Sequence, residues 1–282
     1  MVMPLSLLPM PVLYLFSDFL FLILWYIIPY RKKVVLHNLR NSFPDKTEAE
    51  LNQIAKKFFH HFIDLMMETL KGFTASKAWL EKHVKGVNTQ LLQNYFKQGK
   101  SLIAITSHYG NWEWGALTFS NHSDHTDFGV YAPLNNKFWD QVIRNSRKKF
   151  NLILMPVSEV SNYFENYKTA AGMYGFIADQ SPGNVNRCHW MQFLNQDTPV
   201  FYGPEKYARQ YNYAVVYAHI DKIKRGHYTV SYSLICDDPS KVENNVITQT
   251  HTRLLESIIV KRPELWLWTH KRWKKKRSDV TA

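Results

Sequence analysis

The middle and C-terminal parts of the chain alternate short apolar runs with stretches of helical periodicity, and this alternation narrows the possible folds most. It is typical of α/β proteins, in which helices cover a largely buried sheet. The runs that have the length and composition of strands are residues 102–106, 128–132, 152–155, 173–178, 213–220 and 228–235. Helical patterns lie near residues 111–121, 136–149, 159–170, 204–211 and 247–261. We therefore expect an α/β domain over residues 31–273, with a mixed sheet flanked by helices.

A long helix is predicted ahead of these strands, over residues 47–70. Thr47 and Glu50 have the spacing of a capping box, in which each residue accepts a hydrogen bond from the backbone of the other. Apolar residues follow with the helical period. The helix should therefore bury one face against the domain.

The first 30 residues are almost wholly apolar. A helix over residues 12–28 would be about 25 Å long at about 1.5 Å per residue, against about 30 Å for a bilayer core. The cluster Arg31-Lys32-Lys33 follows, and basic residues beside an apolar segment favour the cytoplasmic side of a membrane. We expect residues 1–30 to form a membrane anchor, with a buried core helix as the alternative.

The net charge indicates an anionic partner. The chain has 35 Lys and Arg against 23 Asp and Glu, a formal net charge of +12, which favours nucleic acid, an anionic membrane or an acidic protein. Residues 271–277 supply half of this charge and lie just after Trp266 and Trp268. Aromatic residues beside Lys and Arg suit a membrane interface. Residues 274–282 are expected to form a basic tail.

The motif best suited to catalysis runs from Ser107 to Trp114 and reads SHYGNWEW. The predicted strand 102–106 brings His108 to a strand end, where open α/β sheets usually bind ligands. Asn111 is a good N-cap for the helix that follows, so Glu113 falls in its first turn. With a turn between them, Glu113 can meet one ring nitrogen of His108 and leave the other to accept a hydroxyl proton. The alternative is a strand-end histidine beside a helix-capping glutamate.

Two other polar groups could hold a substrate. In the helix 136–149, Arg144 and Arg147 lie on one side, opposite an apolar side. Guanidinium groups suit phosphate or an oxyanion, although an ordinary amphipathic helix with a solvated basic face has the same pattern. Asp179 and Gln180 follow the predicted strand 173–178 directly, which puts a second polar group at a strand end.

Motifs for other chemistries are incomplete. Residues 99–101 end like a phosphate-binding loop, but the first glycine of that motif is missing and the run precedes a strand. No G-x-S-x-G elbow for a serine hydrolase occurs. His60, His61 and Asp64 could approach a metal ion, but without a fuller ligand set we expect them to be surface polar residues. The sequence implies neither a metal nor a nucleotide cofactor.

Taken in order, these motifs resemble the bacterial lipid A biosynthesis acyltransferases, the late-acting lauroyl and myristoyl transferases within the glycerolipid acyltransferase group marked by H-x4-D/E. A bare H-x4-E would be a weak signal, whereas an ordered set over nearly the whole chain is specific. The resemblance is carried by the apolar N-terminus, residues 38–44, the motif from His108 to Glu113, Tyr131 with Pro133-Leu134, Arg144 with Arg147, Asp179-Gln180, residues 193–204 and residues 263–273.

The resemblance implies a glycerolipid-acyltransferase-like fold in which His108 is the general base and Glu113 its partner. An arginine of the predicted helix 136–149 would hold an anionic group of the acceptor. The residues implied in substrate binding are Asn111, Arg144, Arg147, Asp179 and Gln180. No metal and no other cofactor are implied.

The activity expected on this basis is transfer of a fatty acyl chain from an acyl carrier protein thioester to a hydroxyl of a lipid A precursor. The expected location is the bacterial inner membrane, with the catalytic domain on the cytoplasmic side. The basic surface would then serve the acidic carrier protein and membrane lipids, not nucleic acid. Two alternatives stay open: acylation of a lysophospholipid or an amino-acid lipid, and a non-catalytic, membrane-tethered binder of anionic polymers.

Overall fold

The structure, a computed structural model, describes residues 2–134, 136–168 and 171–280. Its strands are β1 (Val84–Val87), β2 (Leu102–Thr106), β3 (Thr126–Tyr131), β4 (Ile153–Pro156), β5 (Gly172–Ile177), β6 (Cys188–Phe193), β7 (Gln196–Phe201), β8 (Ala214–Lys224) and β9 (His227–Cys236). Its helices are α1 (Val2–Leu7), α2 (Met10–Leu22), α3 (Lys32–Ser42), α4 (Glu48–Gly72), α5 (Lys77–His83), α6 (Gln90–Lys97), α7 (Trp112–Thr118), α8 (Lys137–Lys148), α9 (Val160–Tyr167), α10 (Gly203–Tyr211) and α11 (Val246–Lys261).

A mixed seven-stranded sheet forms the centre of the domain, in the order β1-β9-β8-β2-β5-β3-β4. β2 lies in the middle and runs parallel to both of its neighbours, β5 and β8. β8 and β9 form an antiparallel pair. Every residue of β2 is buried, which explains why its sequence is a near-continuous apolar run. The prediction of a mixed α/β sheet flanked by helices is confirmed.

All six predicted strands are present, as β2, β3, β4, β5, β8 and β9, with small differences at their ends. β1 and the antiparallel pair of β6 and β7 were not predicted from the sequence. β1 is a four-residue strand that is exposed after its first residue, so it shows no apolar pattern. The predicted helix 159–170 corresponds to α9, and residues 169 and 170 lie outside the described residues.

The long helix α4 begins with the predicted capping box. The N–H of Glu50 donates to Thr47 Oγ1 at 3.3 Å, and the N–H of Thr47 donates to Glu50 Oε2 at 2.8 Å. Further along α4, His61 and Asp64 are 4% and 0% exposed. The expectation that they are surface residues is therefore wrong: Arg225 forms an ion pair with Asp64, and His61 Nε2 donates to the carbonyl of Gly110 at 3.2 Å. His60 is half-buried.

The N-terminal helix α2 lies against α4 and has two different faces. Its inner face is polar in part: Tyr14 donates to Glu68 and Ser17 donates to Asp64, both at 2.7 Å. Its outer face exposes apolar side chains, among them Leu15, Phe16, Phe19 and Leu22. Residues Met10–Ile27 are long and apolar enough to cross a membrane, and 17% of them are buried. A buried core helix is thus contradicted, and the membrane anchor stays a prediction.

After α11 the chain turns back into the domain beside the end of β2. Tyr109 and Trp266 form an antiparallel bridge, and Trp266 and Trp268 are 3% and 0% exposed. The expected membrane-interface position of these two indoles is therefore wrong, since both pack in the core. Arg272, one of the basic residues of the segment 271–277, is also buried.

Candidate active site

The site lies where β2 and β5 end. Their last paired residues are Thr106 and Ile177, and because the strands are parallel, the turns that follow leave the sheet side by side. His108 and Asp179 each lie two residues beyond this pair. They are in contact although 71 positions separate them in the chain. The register of two central strands thus builds the site at the sheet edge where ligands usually bind.

His108 and Asp179 are joined by two hydrogen bonds. Nδ1 of His108 donates to Asp179 Oδ1 at 2.7 Å, and the backbone N–H of His108 donates to Oδ2 at 3.0 Å. Trp266 Nε1 donates to the same Oδ2 at 2.8 Å. On the other side of the ring, Gln180 Nε2 lies 3.2 Å from His108 Nε2. An amide NH2 can only donate, so His108 Nε2 is the acceptor and Nδ1 carries the proton.

The Asp179 carboxyl is buried but remains acidic. Burial works to raise its pKa; the charge of His108 and hydrogen bonds from His108 and Trp266 outweigh burial, so the pKa lies below its ordinary value. Asp179 is therefore an anion at neutral pH. An anion on Nδ1 fixes the tautomer and orientation of the imidazole and strengthens Nε2 as a base.

His108 opens onto a cavity of about 510 Å³. Apolar and aromatic residues form most of its wall, including Val130, Leu134, Val160, Phe176 and Tyr207. Its polar lining residues include His108, Glu113, Arg147 and Gln180. A mostly apolar cavity with a few convergent polar groups is typical of a small-molecule site. This one can hold an apolar chain beside a base.

Glu113 lines this cavity, but among the described residues its carboxylate pairs with Arg147 and not with His108. Nη2 of Arg147 donates to Glu113 Oε2 at 3.1 Å. Glu113 lies in the first turn of α7, and Arg147 reaches it from the last turn of α8. Arg144, one turn earlier on α8, is exposed and lies 4.0 Å from Asp140. Of the two arginines singled out by sequence, Arg147 is the one that lines the cavity.

Asn111 is the predicted N-cap of α7. Its Oδ1 accepts from the N–H of Trp114 at 2.8 Å, which confirms the cap. Its Nδ2 donates to Glu68 Oε2 at 2.7 Å, and the residue is completely buried. Asn111 therefore fixes the start of the helix that carries Glu113 and contacts α4 behind it.

The described side chains that could jointly bind a metal ion are Asp18, His60 and Asp64, on α2 and α4. The guanidinium of Arg225 already donates to both carboxylates, to Asp18 at 2.6 Å and to Asp64 at 2.5 Å. Lys222 Nζ also lies 3.5 Å from Asp64 Oδ2. The two cations together balance the two negative charges, so the cluster is an ion-pair network between the N-terminal helix and the domain.

Two residues that shape the site, Trp112 and Trp266, were not predicted from the sequence. Trp266 donates directly to Asp179, and Trp112 packs edge-on against the His108 ring with 5.1 Å between ring centroids. Trp112 lies inside the motif that was singled out. The sequence signal for Trp266 was its alternation with Trp268. This pattern fits an extended segment with one buried side as well as it fits a membrane interface.

The chain matches known proteins over almost its whole length. Residues 1–275 match the family described as bacterial lipid A biosynthesis acyltransferase. The chain is similar to a lipid A biosynthesis acyltransferase of Haemophilus influenzae, with 22% identity over 253 residues that cover 89% of this chain and 80% of that protein. It is also similar to a lipid A biosynthesis lauroyltransferase of Escherichia coli, with 20% identity over 278 residues that cover 98% of this chain and 89% of that protein.

Proposed function

This chain belongs to the bacterial lipid A biosynthesis acyltransferase family, and we propose that it transfers a fatty acyl group from an acyl carrier protein thioester to a hydroxyl of a lipid A precursor. Membership of the family makes it an acyltransferase of lipid A biosynthesis. The proposal adds the donor, the kind of acceptor group and the catalytic residues. The observation that carries it is the His108–Asp179 pair, whose unprotonated Nε2 lies at a cavity lined mainly by apolar residues.

In the proposed reaction, Nε2 of His108 takes the proton of the acceptor hydroxyl while the hydroxyl oxygen attacks the thioester carbonyl carbon. The new C–O bond forms, the C–S bond breaks, and the imidazolium returns the proton to the leaving thiolate. The carrier then departs as a free thiol. Because the cavity can hold both reacting groups beside the base, proximity supplies much of the rate without a covalent acyl-enzyme.

Other polar groups of the cavity have separate parts in this proposal. Asp179 takes the orienting role that the sequence suggested for Glu113. Glu113 holds Arg147, whose guanidinium receives an anionic group of the acceptor. The amide of Gln180, next to Nε2 of His108, donates to the oxyanion that forms on the thioester carbonyl.

Charge and apolar surface support the donor and the location. A net charge of +12 favours encounter with an acidic carrier protein. Arg144 and Lys148 are exposed on α8, the helix that brings Arg147 to the cavity, so the carrier can approach there. The exposed apolar face of α2, followed by Arg31, suits the cytoplasmic surface of the inner membrane.

The decisive experiment presents the purified full chain, in mixed micelles, with acyl carrier protein thioesters and separate acceptors. We expect mass spectrometry to find the acyl chain on the lipid A precursor. Transfer only to a lysophospholipid or an amino-acid lipid would mean that the proposed acceptor is wrong. Binding without transfer would contradict the proposed acyl transfer. In cells, deletion of the gene should remove one acyl chain from lipid A, and an unchanged lipid A would contradict the proposal.

The test of the base is His108→Ala, with His189→Ala on β6 as a control away from the cavity. His108→Ala should lower the rate by about 10²- to 10⁴-fold, the usual contribution of a general base. His189→Ala should stay near wild type. A folded His108→Ala protein with full activity would rule out the mechanism.

A further inference from the structure

Arg272 is a buried arginine with an unusual lack of partners. It is 2% exposed, and its Nη2 donates to the carbonyl of Pro199 at 2.7 Å. Its Nε and Nη1 have no hydrogen-bond partner among the described residues, and no carboxylate there forms an ion pair with it. A buried guanidinium is costly unless an opposite charge compensates it. The cost of burying Arg272 therefore depends on how near a buried anion lies.

Arg272 and Asp179 line the same second, small cavity. It has about 10 Å³, close to the size of one water, and its lining residues include Thr106, Asp179, Tyr217, His251 and Arg272. Asp179 thus contacts His108 on the substrate cavity and also lines this enclosed space. Asp179 can accept about four hydrogen bonds, and His108 and Trp266 supply three of them.

Arg272 is charged under physiological conditions. Burial lowers its pKa to about 10, and the negative charge of Asp179 opposes that lowering. At neutral pH the group is therefore a guanidinium. In a low-dielectric interior its field acts on Asp179 over a longer distance than it would in water.

The other titratable groups around Asp179 do not supply a permanent positive charge. They come from β8, α11 and the C-terminal segment, and they are Tyr217, His251 and His270. Burial raises the pKa of Tyr217, which keeps the phenol neutral. Burial lowers the pKa of both histidines to about 4, so they are neutral as well. At the substrate cavity, the carboxylate of Glu113 is paired with Arg147.

We propose that Arg272 is a positioning residue for the reaction proposed above: across the small cavity, its charge adds to the interactions with His108 and Trp266 that keep Asp179 ionised, and it opposes premature protonation of His108. The role of Arg272 in catalysis rests on the proposed function. The electrostatic coupling of Arg272 to the His108–Asp179 pair can be measured without any substrate. His108 and Asp179 are joined by a hydrogen bond, so the charge of either group acts on the other. A nearby fixed positive charge repels the proton that the pair takes up on acidification.

The test is an NMR titration of the full chain in detergent with ¹³C-labelled histidine. His108, one of 12 histidines, is assigned by the signal lost in His108→Ala. Arg272→Met removes the charge and should raise the titration midpoint of His108 by about 1 pH unit. If the Met variant does not fold, Arg272→Gln replaces it, because its amide can still donate to Pro199. An unmoved midpoint in a folded, uncharged variant would overturn the proposal.

The matched control is Arg253→Met on α11, which removes the same charge from a side chain that is 57% exposed. In this variant the titration midpoint of His108 should stay at the wild-type value. A shift as large as in Arg272→Met would show that only the net charge of the protein matters, and would overturn the proposal. In activity assays, the acidic limb of kcat/KM should move with the NMR midpoint in Arg272→Met. A purely structural role would lower Tm and leave both midpoints in place. If no acceptor is acylated, the proposed function fails while the titration result stands.

Discussion

Asp179 and Glu68 are two buried carboxylates that lie on either side of the same turn, from His108 to Asn111, and their partners differ. Asp179 accepts from His108 twice and from Trp266 once. Glu68 is 0% exposed and accepts from Tyr14, Asn111 and Tyr228, each at 2.7 Å. One carboxylate thus faces a titratable ring that opens onto a cavity, whereas the other faces only neutral donors.

The pKa shifts of the two carboxyls are opposite. Burial raises the pKa of Glu68, and its hydrogen bonds from Tyr14 and Tyr228 only reduce that rise. The pKa of Asp179 is lowered despite burial, because His108 can carry a positive charge beside it. Three hydrogen bonds do not by themselves make a buried carboxylate reactive. Asp179 differs because its neighbour His108 can carry a proton and opens onto the substrate cavity. Glu68 has no such neighbour and instead links α2, α4, α7 and β9.

The largest effect is expected for Asp179→Asn. The amide cannot accept from both His108 and Trp266 as the carboxylate does, and it no longer favours the tautomer with a free Nε2. Activity should fall by about 10²- to 10⁴-fold. The Tm should fall as well, because the amide leaves a buried donor without an acceptor. Steady-state rates and thermal unfolding of the same preparation measure both. A loss of stability without a specific loss of rate would make Asp179 a structural residue like Glu68.

Glu68→Gln should lower the stability without the loss of rate. The amide NH2 would point at one of three donors, which leaves a buried donor without an acceptor. Unfolding free energy should fall by about 2–3 kcal/mol, while the folded protein keeps most of its rate. Urea unfolding in detergent measures the first quantity and acyl transfer the second. If the rate fell as far as in Asp179→Asn, Glu68 would belong to the catalytic machinery.

The pH dependence of stability should have opposite signs for the two groups. The folded-state pKa of Glu68 is raised above its ordinary value of 4.5, so this group contributes less stability as the pH rises above 4.5. The pKa of Asp179 is lowered from 3.8, so its contribution is present above pH 3.8 and is lost as the pH falls below it. Urea midpoints as a function of pH should therefore flatten above pH 4.5 in Glu68→Gln and below pH 3.8 in Asp179→Asn. If the urea midpoints of both variants depended on pH in the same way, the pKa shifts of Glu68 and Asp179 would not be opposite.

The smallest effect is expected for Tyr14→Phe. It removes one donor to Glu68 from α2 and should lower the unfolding free energy by about 1 kcal/mol, with activity unchanged. Tyr26→Phe, on a side chain that is 66% exposed, is the matched control and should change neither. A drop in rate with Tyr14→Phe would mean that docking of the N-terminal helix reaches the active site through Glu68 and Asn111.

Much of the fold could be predicted because it depends on nearby residues. The apolar run of β2, the capping box of Thr47 and Glu50, and the N-cap Asn111 all rest on interactions within a few positions. The position of His108 at a strand end followed from β2 alone. In contrast, the buried state of Asp64 depends on Arg225, 161 positions away, and no local pattern reports it.

The sequence was sufficient for the class of fold, for the histidine at the strand end, and for a resemblance that the family match bears out. It was not sufficient for the choice of partners. Asp179 reaches His108 because β5 pairs with β2 in one register, and Arg147 reaches Glu113 because α8 packs beside α7. The same long-range packing brings Arg272 and Asp179 to the wall of one small cavity. Local periodicity fixes where an element begins and ends, but only the packing of distant elements fixes which charges meet.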